Sequence, residues 1–264
     1  MMQATSPSAE EFAGKVAIVT GGGTGIGFAT ARLLAIKGAH VVIASRTANE
    51  LEASAAAIRA ATGARCIAVP TDVTDEVQCT RLVERTIEEF ARVDILVNNA
   101  GGTRLGPLSK LPTKAWDASF NLNVRSAYFC TREAGRYMIQ QASGAIVNVS
   151  SNAGQHGVKG GAHYSSSKAA LQMFTSVTAA EWGRYGIRAN CVAAGMIASP
   201  RAEAAWRQAK LDTKNINSIP LRRVGTPEEV ANMIVFFASD AASYITGQII
   251  AVNGGPPMSG IADD

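Results

Sequence analysis

Tyr164 and Lys168 lie four residues apart on a predicted helix, so both side chains project from one face. An ammonium beside a phenol stabilises the phenolate and draws the tyrosine down from its ordinary value of about 10. Such a phenol can give a proton to a nascent alkoxide or take one from an alcohol. By itself the pair would equally suit an ordinary surface helix, so its meaning depends on what surrounds it.

A second cluster binds rather than reacts. Thr20-Gly21-Gly22-Gly23-Thr24-Gly25-Ile26-Gly27 falls between an apolar strand and a helix, with the spacing T-G-x-x-x-G-x-G. Glycines let the backbone approach a pyrophosphate, and the following helix presents unpaired N–H groups and its positive dipole end. A tight strand-to-helix turn would use the same residues. The position in a strand–loop–helix unit near the N-terminus points to nucleotide binding.

The elements that must position these clusters alternate regularly. Strands read at Lys15–Thr20, Val41–Ile43, Cys66–Val69, Asp94–Val97, Ala145–Val149, Ile187–Val192 and Gln248–Val252. Between them helices read at Ile26–Lys37, Ala48–Ala61, Thr74–Arg92 with Thr74 as N-cap, Lys114–Gln141, Ser165–Tyr185 and Pro227–Ser239. Seven strands apolar on consecutive positions, interleaved with helices, predict an α/β fold: one parallel, doubly wound sheet with helices on both faces. No linker or composition break divides the chain, so residues 12–264 read as one domain behind a flexible tail at 1–11. Residues 198–226 are long for a connection in such a fold and read as a substrate lid.

Composition narrows the function classes. Hydrophobic residues make up 47% and charged residues 17%, which suits a packed core and excludes a disordered chain. The net charge of +4 is slight and the basic residues are scattered, so no nucleic-acid partner is expected. No apolar run reaches membrane-spanning length and no secretory h-region opens the chain; a cytoplasmic location and no membrane partner are expected. Cys66, Cys79, Cys130 and Cys191 have no C-x-x-C pairing and read as buried free thiols, and the three histidines lack zinc spacing, so no metal is expected.

The glycine loop, Asn98-Asn99-Ala100-Gly101 and Tyr164-x-x-x-Lys168 occur in one order, and in that order the chain resembles the short-chain dehydrogenase/reductase family over about Phe12 to Gly255. The resemblance implies a single-domain Rossmann fold and an NAD(P)-dependent oxidoreductase that moves a hydride between nicotinamide and a carbonyl or secondary alcohol carbon. It implies Ser151, rather than its neighbour Ser150, as the serine that bonds the substrate oxygen. Asn123 matches the asparagine that holds a relay water near the lysine; Tyr164 and Lys168 complete the group. The cofactor positions it implies are Gly21, Thr24, Gly25, Ile26 and Gly27 in the loop, Ser45 and Arg46 after the second strand, and Asp72 and Val73 near the adenine. Asn99, Ala100, Gly101, Gly195 and Ile197 follow, with Tyr164 and Lys168 also meeting the nicotinamide ribose.

NAD-preferring relatives place a carboxylate after the second strand. This chain has Ser45-Arg46, and a guanidinium suits a 2′-phosphate, so NADP(H) is expected over NAD(H). Thr24 stands where a second basic residue often occurs, and Arg46 would also suit a solvated helix start. Asp72 would serve equally as a turn or cap residue. Ala194 replaces the family's proline, which predicts a looser turn beside the nicotinamide.

Several stretches are similar to 3-oxoacyl thioester reductases and to dienoyl- and enoyl-coenzyme A reductases. Arg201, Arg207, Lys210 and Lys214 could meet coenzyme A phosphates, or form a solvated face. Intact Ser151 and Tyr164 favour carbonyl over C=C reduction. A non-catalytic NADP(H)-sensing module is the alternative from another class. The family implies a homotetramer acting on a small-molecule substrate.

Overall fold

In the strands, consecutive apolar residues are divided between two cores. Ala17 and Val19 join one buried cluster and Ile18 the other; Val41 and Ile43 part from Val42 and Ala44, and Ile95 and Val97 from Leu96. The alternation is the period-two geometry of a strand covered on both faces, which is why these runs carry no polar side. The computed structural model describes residues 10–199, 202–204, 206 and 216–255.

The strands β1 (Val16–Thr20), β2 (His40–Ser45), β3 (Cys66–Pro70), β4 (Ile95–Asn98), β5 (Gly144–Ser151), β6 (Ile187–Ala194) and β7 (Ile249–Val252) form one sheet in the order β3-β2-β1-β4-β5-β6-β7. Every pairing is parallel. Helices α1 (Gly25–Ile36), α2 (Ala48–Thr62) and α7 (Pro227–Ala238) supply Leu34, Leu51, Ile58 and Ile234 to one core. Helices α3 (Glu76–Phe90), α5 (Ser126–Gln141) and α6 (Ala162–Trp182) supply Leu82, Met138 and Ala179 to the other. The strand order reverses between β1 and β4, and ligands of such sheets bind beyond the strand ends at that crevice.

Four details depart from the sequence reading. Asp75, not Thr74, caps α3, its carboxylate accepting from the Val77 and Gln78 amides. The long helix begins as α4 (Thr113–Phe120) and widens into a π-helical segment at Asn121–Arg125 before α5. Helix α6 starts at Ala162, so Tyr164 lies inside its first turn. Glu10 and Glu11 belong to the folded part: Glu11 pairs with Lys37 at 2.5 Å, and the Glu10 carbonyl accepts from the Ala13 amide. Arg201, Arg207, Lys210 and Lys214, with most of the proposed lid and residues 1–9 of the tail, lie outside the described residues. All four cysteines are buried free thiols.

Candidate active site

The glycine loop leaves β1 and turns at Gly21, whose φ of 65° is a left-handed conformation open to glycine at little cost. Gly27 is fixed by space: a β-carbon there would fall 2.1 Å from the Gly21 carbonyl oxygen. Loop and helix therefore touch backbone to backbone. The first helical bond of α1 runs from the Phe28 amide to Thr24, so Gly25, Ile26 and Gly27 hold amides that the helix itself does not use. Thr24 makes no side-chain cap, and the first turn carries no acidic residue. The end of this helix is thus left positive.

Side chains lock the loop to the end of β4. Thr20 Oγ1 accepts from the Asn99 and Ala100 amides at 3.0 and 3.1 Å, and Asn99 Nδ2 donates to the Thr20 and Gly21 carbonyls. One residue earlier, Asn98 Nδ2 donates to Asn148 Oδ1 at 2.8 Å and to Thr131 Oγ1, while Asn148 donates to Thr175 Oγ1. This buried polar ladder joins β4, β5, α5 and α6 directly beneath the crevice.

Ser151 ends β5 in register with Ala194 of β6. Its Oγ accepts from the Ala153 amide at 3.1 Å, which leaves the hydroxyl proton to be donated elsewhere. Tyr164 is half-buried in the first turn of α6, where the helix dipole favours negative charge. One turn on, Lys168 is 4% exposed, with Nζ 5.9 Å from the Tyr164 ring centroid. Nζ donates to the Val149 carbonyl at 2.9 Å. Burial pulls the Lys168 ammonium down from 10.5 to about 8.

Asn123 sits in the π-helical segment, 1% exposed, and holds the loop after β4: Oδ1 accepts from the Gly102 amide and Nδ2 donates to the Gly102 carbonyl. A β-carbon on Gly101 would lie 2.9 Å from Asn123 Oδ1 and 3.1 Å from Lys168 Nζ. The structure therefore brings Asn123, Gly101 and Lys168 to one spot, beside the turn that carries Tyr164.

The far wall is the strand end after β6. A β-carbon on Gly195 would strike the Asn253 backbone at 2.6 Å. Ala194, expected to loosen this turn, is held between Ser151 and Val252 as the last paired residue of β6. Beyond it Gly225 donates to the Met196 carbonyl and accepts from the Ala198 amide, so the intervening Ile197 turns its own amide and carbonyl the other way.

Residues 21–256 match the family model described as enoyl-(acyl carrier protein) reductase. The chain is 39% identical over 244 residues to a 3-oxoacyl-[acyl-carrier-protein] reductase of Thermotoga maritima, covering 92% of this chain and 97% of that one. It is 42% identical over 256 residues to a cis-4-hydroxycyclohexanecarboxylate dehydrogenase of Sinomonas cyclohexanicum, covering 93% and 98%. The chain belongs to the short-chain dehydrogenase/reductase family. Among solved structures, levodione reductase superposes with a TM-score of 0.89 at 31% identity over 92% of this chain and 98% of that one. As a member of the family the protein is an oxidoreductase acting on C=O and CH–OH groups.

The residues of this short-chain dehydrogenase/reductase fit a dinucleotide. The uncapped start of α1 suits a pyrophosphate, and a β-carbon on Gly23 would reach within 3.5 Å of Ser45 Oγ, so the loop borders the end of β2. Arg46, next in sequence, is exposed and makes no ion pair among the described residues. Val73 is buried, and Asp72 Oδ1 accepts from the Thr74 amide and hydroxyl, the turn role open to it from sequence.

Three residues make supporting bonds that the sequence reading did not assign to them. Ser150 Oγ donates to the Lys168 carbonyl, and Gln172 Nε2 donates to both Ser150 Oγ and the Ser151 carbonyl, tying β5 to α6. His163 bonds the loop after β4. Gln172 had one legible signal: it lies one turn beyond Lys168 on the same helix face.

Proposed function

We propose that the protein is an NADP(H)-dependent reductase of carbonyl compounds, working in reverse on secondary alcohols, with 3-oxoacyl thioesters as the first substrates to try. The observation that carries this is the placing of Tyr164 in the first turn of α6, with buried Lys168 behind it and the Ser151 hydroxyl at the end of the neighbouring strand. A bound nicotinamide supplies or accepts the hydride. The protein holds the cofactor through the α1 amides, Asn99, Ala100, Gly101, Gly195 and Ile197, and through Arg46 at the 2′-phosphate; Asp72 and Val73 border the adenine. Ser151 donates to the substrate oxygen and fixes its direction. Tyr164 donates its phenolic proton to that oxygen as charge develops there, and Lys168 with the helix dipole steadies the phenolate left behind. Asn123 orders the Gly101–Gly102 backbone beside Lys168, where a relay water would refill the proton.

The relatives named as 3-oxoacyl-[acyl-carrier-protein] reductases support the thioester choice. A second reading, C=C reduction of an enoyl or dienoyl thioester, is favoured by the description of the family model and by a 34% identical relative from Danio rerio named peroxisomal 2,4-dienoyl-CoA reductase. The intact serine and tyrosine argue for the carbonyl. Residues 198–226 serve as the substrate lid on residues 12–264 as one catalytic domain, and the enzyme works in the cytoplasm as a homotetramer.

The test is loss of reduced-cofactor absorbance with ketones, diketones, acetoacetyl thioesters and enoyl thioesters, using NADPH and NADH in parallel. Turnover of a ketone or 3-oxo thioester is expected. Tyr164→Phe should lower it by about 100-fold or more while leaving NADPH affinity nearly intact. Binding of NADPH without turnover of any carbonyl would support a sensing module instead.

A further inference from the structure

His163 lies one residue before Tyr164 and is 3% exposed, and the chemistry proposed above does not use its side chain. Its Nε2 stands 3.1 Å from Thr103 Oγ1 and 3.0 Å from the Arg104 carbonyl oxygen. A carbonyl can only accept, so Nε2 carries a proton and donates to it. The buried Nδ1 has no hydrogen-bond partner among the described residues, so the side chain is held through Nε2 alone. The backbone of the same residue is fixed too: the His163 carbonyl accepts from Ser119 Oγ at 3.3 Å.

The segment it grips leaves β4 and crosses the site. Gly101 lies against Asn123 and Lys168, Gly102 is held by Asn123, and the Gly106 amide donates to the Gly160 carbonyl. Between those anchors, Thr103 and Arg104 are tied to the body of the protein, among the described residues, through the imidazole. A residue in the tyrosine's own helical turn thus holds the middle of the segment that leaves β4.

We propose that His163 is a positioning residue that straps the Thr103–Arg104 segment to the first turn of α6 and so fixes the substrate side of the site relative to the Tyr164 phenol. Its effect on turnover rests on the reductase reading above; the strap itself does not. A side-chain amide separates the ring's two nitrogens: glutamine puts a donor where Nε2 stands, asparagine only where Nδ1 stands.

The experiment compares His163→Gln with His163→Asn in the full chain, reading amide hydrogen exchange across residues 101–108, NADPH affinity and steady-state kinetics with a reduced ketone. His163→Asn should speed exchange at Thr103–Gly106 about tenfold or more and lower kcat/KM by roughly 10- to 100-fold, with NADPH affinity within about twofold. His163→Gln should keep both exchange and kcat/KM within about threefold of the parent. Should the asparagine variant not fold, Thr103→Val removes one acceptor and is expected to speed the same amides. Loop exchange unchanged in both His163→Asn and Thr103→Val overturns the strap, as does equal impairment by Gln and Asn. Failure to reduce any carbonyl, with the exchange pattern as expected, overturns the reductase reading alone.

Discussion

Lys168 shows how a buried ammonium is kept at a cost to the fold. Its ammonium is buried and held down at about 8, against 10.5 when exposed, a penalty of about 3 kcal/mol at neutral pH. The folded state releases this proton more readily than the unfolded one, so the penalty is full below pH 8 and disappears as pH rises toward 10.5. Lys168→Met removes the penalty and leaves the Val149 carbonyl without its donor, a loss of about 1 kcal/mol. The variant should be inactive yet more stable than the parent by ~1–2 kcal/mol at pH 7, the gain vanishing near pH 10; denaturant midpoints at both pH values measure it, and a less stable variant at pH 7 contradicts the account. Arg46 offers the complementary case, a cation with no structural partner among the described residues. Arg46→Asp should leave stability within about 0.5 kcal/mol and reverse the ratio of KM values for NADPH and NADH; an unmoved ratio removes Arg46 from cofactor choice. The residues proposed to react were legible as candidates because their chemistry demands particular types at fixed spacing. The bonds made by Ser150, Gln172 and His163 were not, because their partners lie up to 60 residues away in sequence.

At the scale of elements, the apolar strand runs and the glycine punctuation announced the sheet, since both follow from local geometry. The π-helical segment did not, because Asn121-Leu122-Asn123-Val124-Arg125 has no residue that forbids a regular helix. Packing decides there: Asn123 Nδ2 reaches Ser119, Ser167 and Gly102 together, contacts that tie α4 and α6 around the widened turn. The entry to α7 is the opposite, legible and local. Thr226 Oγ1 accepts from the Glu229 amide, the Glu229 carboxylate returns to the Thr226 amide, and Pro227 follows the cap. Arg223 donates to both Glu229 oxygens and, with the Thr226 amide, holds that carboxyl down at about 2. The same box anchors Gly225, which pairs with the strand end carrying Ile197. Thr226→Ala should cost about 1 kcal/mol, a fall in Tm of ~2–4 °C, and should raise KM for NADPH by loosening Ile197. A lowered Tm with unchanged KM would confine the box to stability.

Over the whole molecule, exposed apolar side chains are spread among several elements of the described residues, and two groups of them bear on assembly. On α6, Ala169, Met173, Val177 and Ala180 are exposed at helical spacing, and Tyr128 of α5 lies edge-on to Phe174 beside them. The second patch is Phe236 on α7, Tyr244, and Ile250 on β7, the strand at the edge of the sheet. An exposed apolar edge strand invites association unless something covers it. The proposed homotetramer would need two separate surfaces, each paired with itself about a two-fold axis, which together close with D2 symmetry. Breaking either interface alone should then stop assembly at a dimer. Met173→Glu and Ile250→Glu should each run at twice the 27.5 kDa chain mass by light scattering, and the double variant as a monomer. A parent protein that is monomeric at micromolar concentration, or a Met173→Glu protein that stays tetrameric, would place the subunit contacts elsewhere. Because the α6 stripe lies on the helix that carries Tyr164 and Lys168, the Met173→Glu dimer should also lose turnover by more than the Ile250→Glu dimer does, which steady-state rates on the two purified dimers will show.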